Sequence, residues 1–200
     1  MKKHTVPMMD SVDSVPAVSR RHFLLGVSAV AATAAAADKV VLAAGAEARI
    51  ALPQWLELFN THTAETLRVA FRNAVGFVAP SLDKLSWLLR DHRAGESAPI
   101  DPGLFDQLAA LATAAGVEPR YEVISGYRSP HTNAALRAAG RGVASRSLHM
   151  QGRAIDVRLR GVSCARLRDL AIDAARGGVG YYRRSDFVHL DTGRVRAWTG

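Results

Sequence analysis

Three residues constrain the fold of this chain more than any other feature. They are His149 and Asp156, seven positions apart in SLHMQGRAIDVRL, and His189 in the apolar run SDFVHLD. Strand alternation puts Ala154 and Asp156 on one face, with Ile155 and Val157 on the other. The same rule sets Phe187, His189 and Asp191 opposite Val188 and Leu190. Two neighbouring strands would then present Asp156 and His189 side by side, while His149 drops in from the preceding loop. Gly152 suits that loop, where the backbone must turn sharply. Two imidazoles and a carboxylate form a three-ligand set for zinc (Zn2+), and three protein ligands leave a fourth position for water. A histidine alone in an apolar strand is ordinarily a core residue, so the expectation of a hydrolytic metal site rests on the three together.

A metal-bound water needs a base. Asp186 precedes His189 by three residues and Asp191 follows it by two. In a regular strand Asp186 would face away from His189, so it must sit in the turn after Arg183-Arg184-Ser185 to reach the metal side. Asp191 is on the correct face as an alternative base, or as a residue that orients a ligand. Arg128, at a strand-to-turn junction, suits a substrate carboxylate or an oxyanion. Tyr127 and His131 flank that turn, whereas His62 and His92 lie in polar segments and read as solvent-facing or structural.

Gln54 to Phe71 reads as two strands around the polar turn 60–65. Ser81 is expected to cap a helix running to about His92, and Asp101-Pro102 to open another that stops at Gly116. Glu122 to Ile124 reads as a strand, followed by a turn and a small helix to Gly140. Ala154 to Leu159 reads as a strand, and 165–176 as a helix closed by Gly177-Gly178. Residues 179–182 and 187–190 read as a closing hairpin. Helices first and strands later predict an α+β fold, with helices packed on a small antiparallel sheet.

Ser19-Arg20-Arg21-His22-Phe23-Leu24-Leu25 and the alanine-rich run after it read as a twin-arginine signal over 1–37, with cleavage as late as about 48. Residues 49–200 form the expected functional domain. The run is too short for a stable membrane span, so the expected location is the periplasm, with the twin-arginine translocase as the export partner. Cys164 is the only cysteine, which excludes an intramolecular disulfide. The formal charge is +8, and the first 37 residues carry four Lys/Arg against two Asp/Glu, leaving +6 for the remainder. That favours an anionic partner, and outside the cytoplasm a wall polymer fits better than nucleic acid.

From about Leu56 to Trp198 the chain resembles the YcbK-type exported murein endopeptidases, relatives of the zinc D-Ala-D-Ala carboxypeptidases. The resemblance is carried in order by FNTHTAETLRV, LLRDHRAGE, PIDPGLFDQL, VISGYRSPHTNAALR, SLHMQGRAIDVRL, GGVGYYRRSDFVHLDTG and VRAW. It implies zinc held by His149, Asp156 and His189 in an SxHxxGxAxD plus DxxH arrangement, with Ser147, Gly152 and Ala154 at the motif's serine, glycine and alanine. It also implies that Asp186 is the acid/base carboxylate and Arg128 the substrate-binding arginine; Tyr127, beside Arg128, and the motif's Ser147 are the further substrate-binding candidates. The implied fold is the α+β zinc fold shared with the Hedgehog signalling domain, and the implied substrate is the peptide cross-link of peptidoglycan.

Three alternatives compete with this expectation. They are a D,D-carboxypeptidase trimming terminal D-Ala, a non-catalytic peptidoglycan-binding module, and a cysteine transpeptidase. Cys164 enters a helix with no adjacent histidine and reads as a buried structural thiol.

Overall fold

The computed structural model describes residues 54–140 and 142–200. The twin-arginine segment expected over 1–37, and the cleavage region to about 48, lie outside the described residues.

The first expected strand pair forms as β1 (Gln54–Asn60) and β2 (Thr66–Asn73), antiparallel with Leu58 opposite Leu67. The two-residue β3 (Gly76–Phe77) extends β2. The remaining strands are β4 (Arg120–Ser125), β5 (Ala154–Leu159), β6 (Gly178–Tyr182), β7 (Phe187–Asp191) and β8 (Arg196–Thr199). They join one sheet in the order β3-β2-β1-β4-β5-β7-β6-β8. This corrects the expectation of a small antiparallel sheet: it has eight strands and is mixed, with β1 parallel to β4 and β6 parallel to β8. Residues 61–119 provide a crossover long enough for the first parallel pair. The second arises because the short link 192–195 carries the chain past the end of β6 to its far side.

Four helices accompany the sheet. Helix α1 (Ala79–Leu88) begins two residues before the expected Ser81 cap, because Pro80 fits a first helical turn, where its missing N–H is no loss. It ends before His92, where Asp91 takes up the backbone N–H groups of Arg93 and Ala94. Helix α2 (Pro102–Ala115) has the predicted ends: the Asp101 side chain accepts from Gly103 N, and Gly116 adopts φ 75°. Helix α3 (Pro130–Ala138) is capped by Ser129, and α4 (Cys164–Ala174) by Ser163. Helix α4 stops on Ala175, so Gly177-Gly178 does not close it; those glycines lie where the 191–196 segment passes.

The alternating apolar residues of the strands all turn to one face. Leu56, Leu58, Tyr121, Val123, Ile155, Val157, Leu159, Val179, Val188 and Leu190 form one core with Leu85, Leu104, Phe105, Leu108, Leu111 and Leu167 of the helices. Full burial of a side chain of this size is worth about 1.5–3 kcal/mol. That gain locks strand register, since a one-residue slip would turn Ile155 and Val157 to the other face. The same register fixes where Asp156 and His189 point. Among the described residues no helix is long and apolar enough to cross a membrane.

Candidate metal centre

Strands β5 and β7 pair antiparallel with Asp156 directly opposite His189, as alternation requires. A register shift in β4 sets Ser125 beside Asp156. His149 arrives on a short 3-10 turn, Leu148–Gln151, which ends on Gly152 at φ 64°. A Cβ at Gly152 would strike the Pro99 carbonyl, so both conformation and space require glycine there.

The three side chains converge through one atom each. His149 Nε2 lies 3.3 Å from Asp156 Oδ1 and 3.2 Å from His189 Nδ1, and the last two atoms are 2.8 Å apart. A tetrahedral ion with bonds of about 2.0–2.2 Å has ligand–ligand edges of about 3.3–3.6 Å, so the longest of these edges matches, the second falls just short and the third must open by about half an ångström. Among the described residues this is the one group of three such side chains placed to hold a metal ion.

The outer nitrogens are fixed as well. His149 Nδ1 donates to the Gly126 carbonyl at 2.7 Å, and His189 Nε2 donates to Asp191 Oδ2 at 3.2 Å. Each of these bonds takes the proton of one nitrogen and leaves the other lone pair inward. Burial pushes the Asp156 carboxyl up, but His149 and His189 outweigh it and hold it well below the usual carboxylate range. Burial pushes the His189 imidazole down, yet Asp156 and Asp191 prevail and raise it to about 9. A cation arriving at Nδ1 therefore competes with a proton.

Arg128 flanks the centre. Its backbone N–H donates to the His149 carbonyl at 3.2 Å. Its guanidinium, in a residue only 9% exposed, reaches Ser125 Oγ at 3.3 Å and Asn133 Oδ1 at 3.4 Å. Burial pulls its pKa down, and Asp156 is the leading opposing charge. Its hydrogen-bond partners are neutral, so its positive charge is not cancelled by a contacting carboxylate.

The other expected residues divide. Ser147 is buried at the start of the 3-10 turn, and its side chain makes no capping bond. Tyr127 is tied by its N–H to the Leu89 carbonyl at 2.7 Å and packs against the core. Asp191 touches His189 directly. Asp186 is not gathered with the triad. It sits at φ 50° in the turn before β7, and its side chain is 70% exposed. Its carboxylate meets Arg158 Nε at 3.5 Å and the Cys164 thiol. Residues that the sequence did not single out complete the surroundings: Gly126, Asn133, Arg196 and Trp198. Their advance signals were the segments that contain them, VISGYRSPHTNAALR for Gly126 and Asn133 and the terminal VRAW for Arg196 and Trp198.

The profile of the M15_2 peptidase family, described as peptidoglycan L,D-endopeptidase MepK, matches residues 48–198. This chain belongs to that family. It is 45% identical over 146 residues to the peptidoglycan L,D-endopeptidase MepK of Escherichia coli strain K12, covering 73% of this chain and 80% of the relative. It is 43% identical over 149 residues to the probable peptidoglycan L,D-endopeptidase MepK of Haemophilus influenzae, covering 74% and 80%. No solved structure matches the chain.

Proposed function

We propose that this MepK-family chain is a zinc-dependent endopeptidase that hydrolyses peptide cross-links of peptidoglycan during wall biogenesis or remodelling. The observation that carries the reading is the triangle of His149 Nε2, Asp156 Oδ1 and His189 Nδ1, with Arg128 beside it. These three atoms would hold the zinc, which when bound polarises a scissile carbonyl and lowers the pKa of its water to about 7. The outer hydrogen bonds to Gly126 and Asp191 keep both imidazoles in the tautomer needed. One carboxylate around a divalent cation leaves a positive centre, and Arg128 adds to it. Such a centre suits a peptide bearing free carboxylates. Arg128 would grip one of them through its planar fork.

The relatives' names specify a bond between an L- and a D-configured centre. A diaminopimelate–diaminopimelate cross-link joins an L-centre carbonyl to a D-centre amine, whereas D-Ala–diaminopimelate joins two D-centres. The former is the substrate we assign. The α+β fold is read as that of the Hedgehog and DD-peptidase group, and export as proceeding through the twin-arginine translocase to the periplasm.

Asp186 is the candidate acid/base by its place in the DxxH motif, and its carboxylate contacts Arg158 and Cys164 instead of the triad. Two measurements separate these parts. Purified zinc-loaded protein is expected to convert defined cross-linked muropeptide dimers into monomers by mass spectrometry, with loss in EDTA and recovery with zinc. Intact dimers despite one bound zinc would overturn the endopeptidase reading. If Asp186 transfers the proton, Asp186→Ala keeps zinc and loses about 10²–10⁴-fold in kcat. Near-normal turnover would remove Asp186 from the mechanism.

A further inference from the structure

The last strand, β8, lies on the opposite side of β6 from the metal ligands, yet its side chains cross β6 to reach them. In β6 the residues facing the site are Gly178 and Gly180, paired with Arg196 and Trp198 of β8 on one side. On the other side Gly180 pairs with His189. A Cβ at Gly178 would strike the Arg196 guanidinium and the Asp191 carboxylate, and one at Gly180 would come within 2.6 Å of the Trp198 indole. The two glycines thus open a shallow track across β6, and Arg196 and Trp198 fill it.

Both residues end on His189 or on its partner. Arg196 grips Asp191 with both nitrogens, Nη1 to Oδ1 at 3.1 Å and Nη2 to Oδ2 at 2.6 Å. Asp191 Oδ1 also accepts from Gly178 N at 2.9 Å and Gly193 N at 2.8 Å, and its Oδ2 accepts from His189 Nε2. Five donors on a carboxylate of 0% exposure occupy its roughly four lone-pair sites. Asp191 therefore has no lone pair for a water, which removes it as an alternative base. Its remaining task is to hold the Nε2 proton of His189 so that Nδ1 faces the metal. The Trp198 ring packs at 5.2 Å from the His189 ring, which has His149 at 5.0 Å on another side. Trp198 is itself pinned by Nε1 to Tyr182 Oη at 3.2 Å and by the Arg196 guanidinium over its ring.

We propose that Arg196 and Trp198 are positioning residues for the metal centre: Arg196 neutralises and orients Asp191, Trp198 fixes the ring plane of His189, and β8 is thereby part of the zinc site. This rests on the zinc reading given above. Removing Arg196 leaves Asp191 buried without its counter-charge, free to tilt or to draw the proton differently, and His189 loses a fixed Nε2 partner.

The test is zinc affinity by competition with a chromophoric chelator, together with the visible absorption of the cobalt-substituted protein, which reports ligand geometry. Wild-type protein is the reference, and failure of wild type to bind one zinc would overturn the zinc reading itself. With wild type binding, Arg196→Ala is expected to weaken zinc by about 10–100-fold and to shift and weaken the cobalt bands. Arg196→Lys, which keeps the charge and loses the fork, should fall between the two. Trp198→Phe should shift the cobalt bands with a smaller loss of affinity. Folding is checked by circular dichroism of each metal-free protein. If Arg196→Ala does not fold, Arg196→Lys and Trp198→Phe decide the matter. Folded variants with wild-type zinc affinity and cobalt spectra would overturn the proposal.

Discussion

The two histidines of the centre are held by opposite means. His149 belongs to a loop-built region, where a 3-10 turn delivers it and the Gly126 backbone carbonyl accepts its Nδ1 proton. His189 belongs to a sheet-built region, where a strand delivers it and the buried Asp191 carboxylate, paired with the half-buried Arg196, accepts the hydrogen bond from its Nε2. A backbone carbonyl is neutral and persists whatever the side chain, so it moves only if the loop moves. A carboxylate is a stronger acceptor, but burying it demands compensating donors. The loop-built support is thus sensitive to backbone displacement, and the sheet-built support to loss of charge.

The comparison predicts no difference at the ligands themselves. His149→Ala and His189→Ala should each lose zinc and at least about 10³-fold in kcat/KM, since metal chemistry carries much of an enzymatic acceleration that starts near about 10⁶. Retained zinc in only one of them would show that the regions contribute unequally to the ion.

The supports should then separate. Asp191→Asn preserves shape and removes charge, and is expected to weaken zinc by about 10–100-fold, read by chelator competition. On the other side the matching perturbation is steric. A Cβ at Gly126 collides with the Leu89 carbonyl and comes within 2.8 Å of Leu89 Cβ. Gly126→Ala should therefore cost about 1–3 kcal/mol in urea unfolding and weaken zinc by moving the His149 acceptor. Full stability with altered zinc affinity in Gly126→Ala would break the distinction.

A smaller effect belongs to the loop-built region alone. Asp91 is buried and accepts from Ser129 N at 2.9 Å, next to Arg128. Burial pushes its carboxyl up, but hydrogen bonds from Thr132, Ser129 and Arg93 prevail and lower it to about 2 from 3.8. A depressed folded pKa contributes stability that is present above the unfolded value and lost as pH falls through the folded one. The wild type should lose about 2 kcal/mol through this group between pH 4 and pH 2. Asp91→Asn should flatten that part of the stability–pH curve, and an unchanged slope would argue against the capping role. Smallest of all, Cys164→Ser should leave kcat/KM unchanged. Burial and Asp186 push the thiol up to about 11, so iodoacetamide should not label it at pH 7.

Much of this arrangement was legible in residue order. The strand pair 54–73, the Asp101-Pro102 and Gly116 helix ends, and strand 154–159 rest on local signals of alternation, capping and positive φ. Pro80 displaced the start of α1, which the serine signal alone had put at residue 81. Strand β3 was missed because two residues are too few for alternation to register, and β8 because Arg196-Ala197-Trp198-Thr199 does not alternate polar and apolar. Gly177-Gly178 looked like a helix stop, yet the space it leaves is filled by residues 13 to 18 positions later.

The sequence by itself singled out His149, Asp156 and His189 and determined the strand face that Asp156 and His189 would occupy, because a period of two is a property of the strand backbone and needs no partner. It also determined the outlines of most helices, whose ends are set by local hydrogen bonding. Only the tertiary structure decided that β8 lies beside β6, that Arg196 and Trp198 end on the Asp191–His189 pair, and that Asp186 turns to Arg158 and Cys164. Those outcomes depend on strand order and on the path of a four-residue link. Both are settled by which surfaces bury best against one another, and no local pattern encodes that choice.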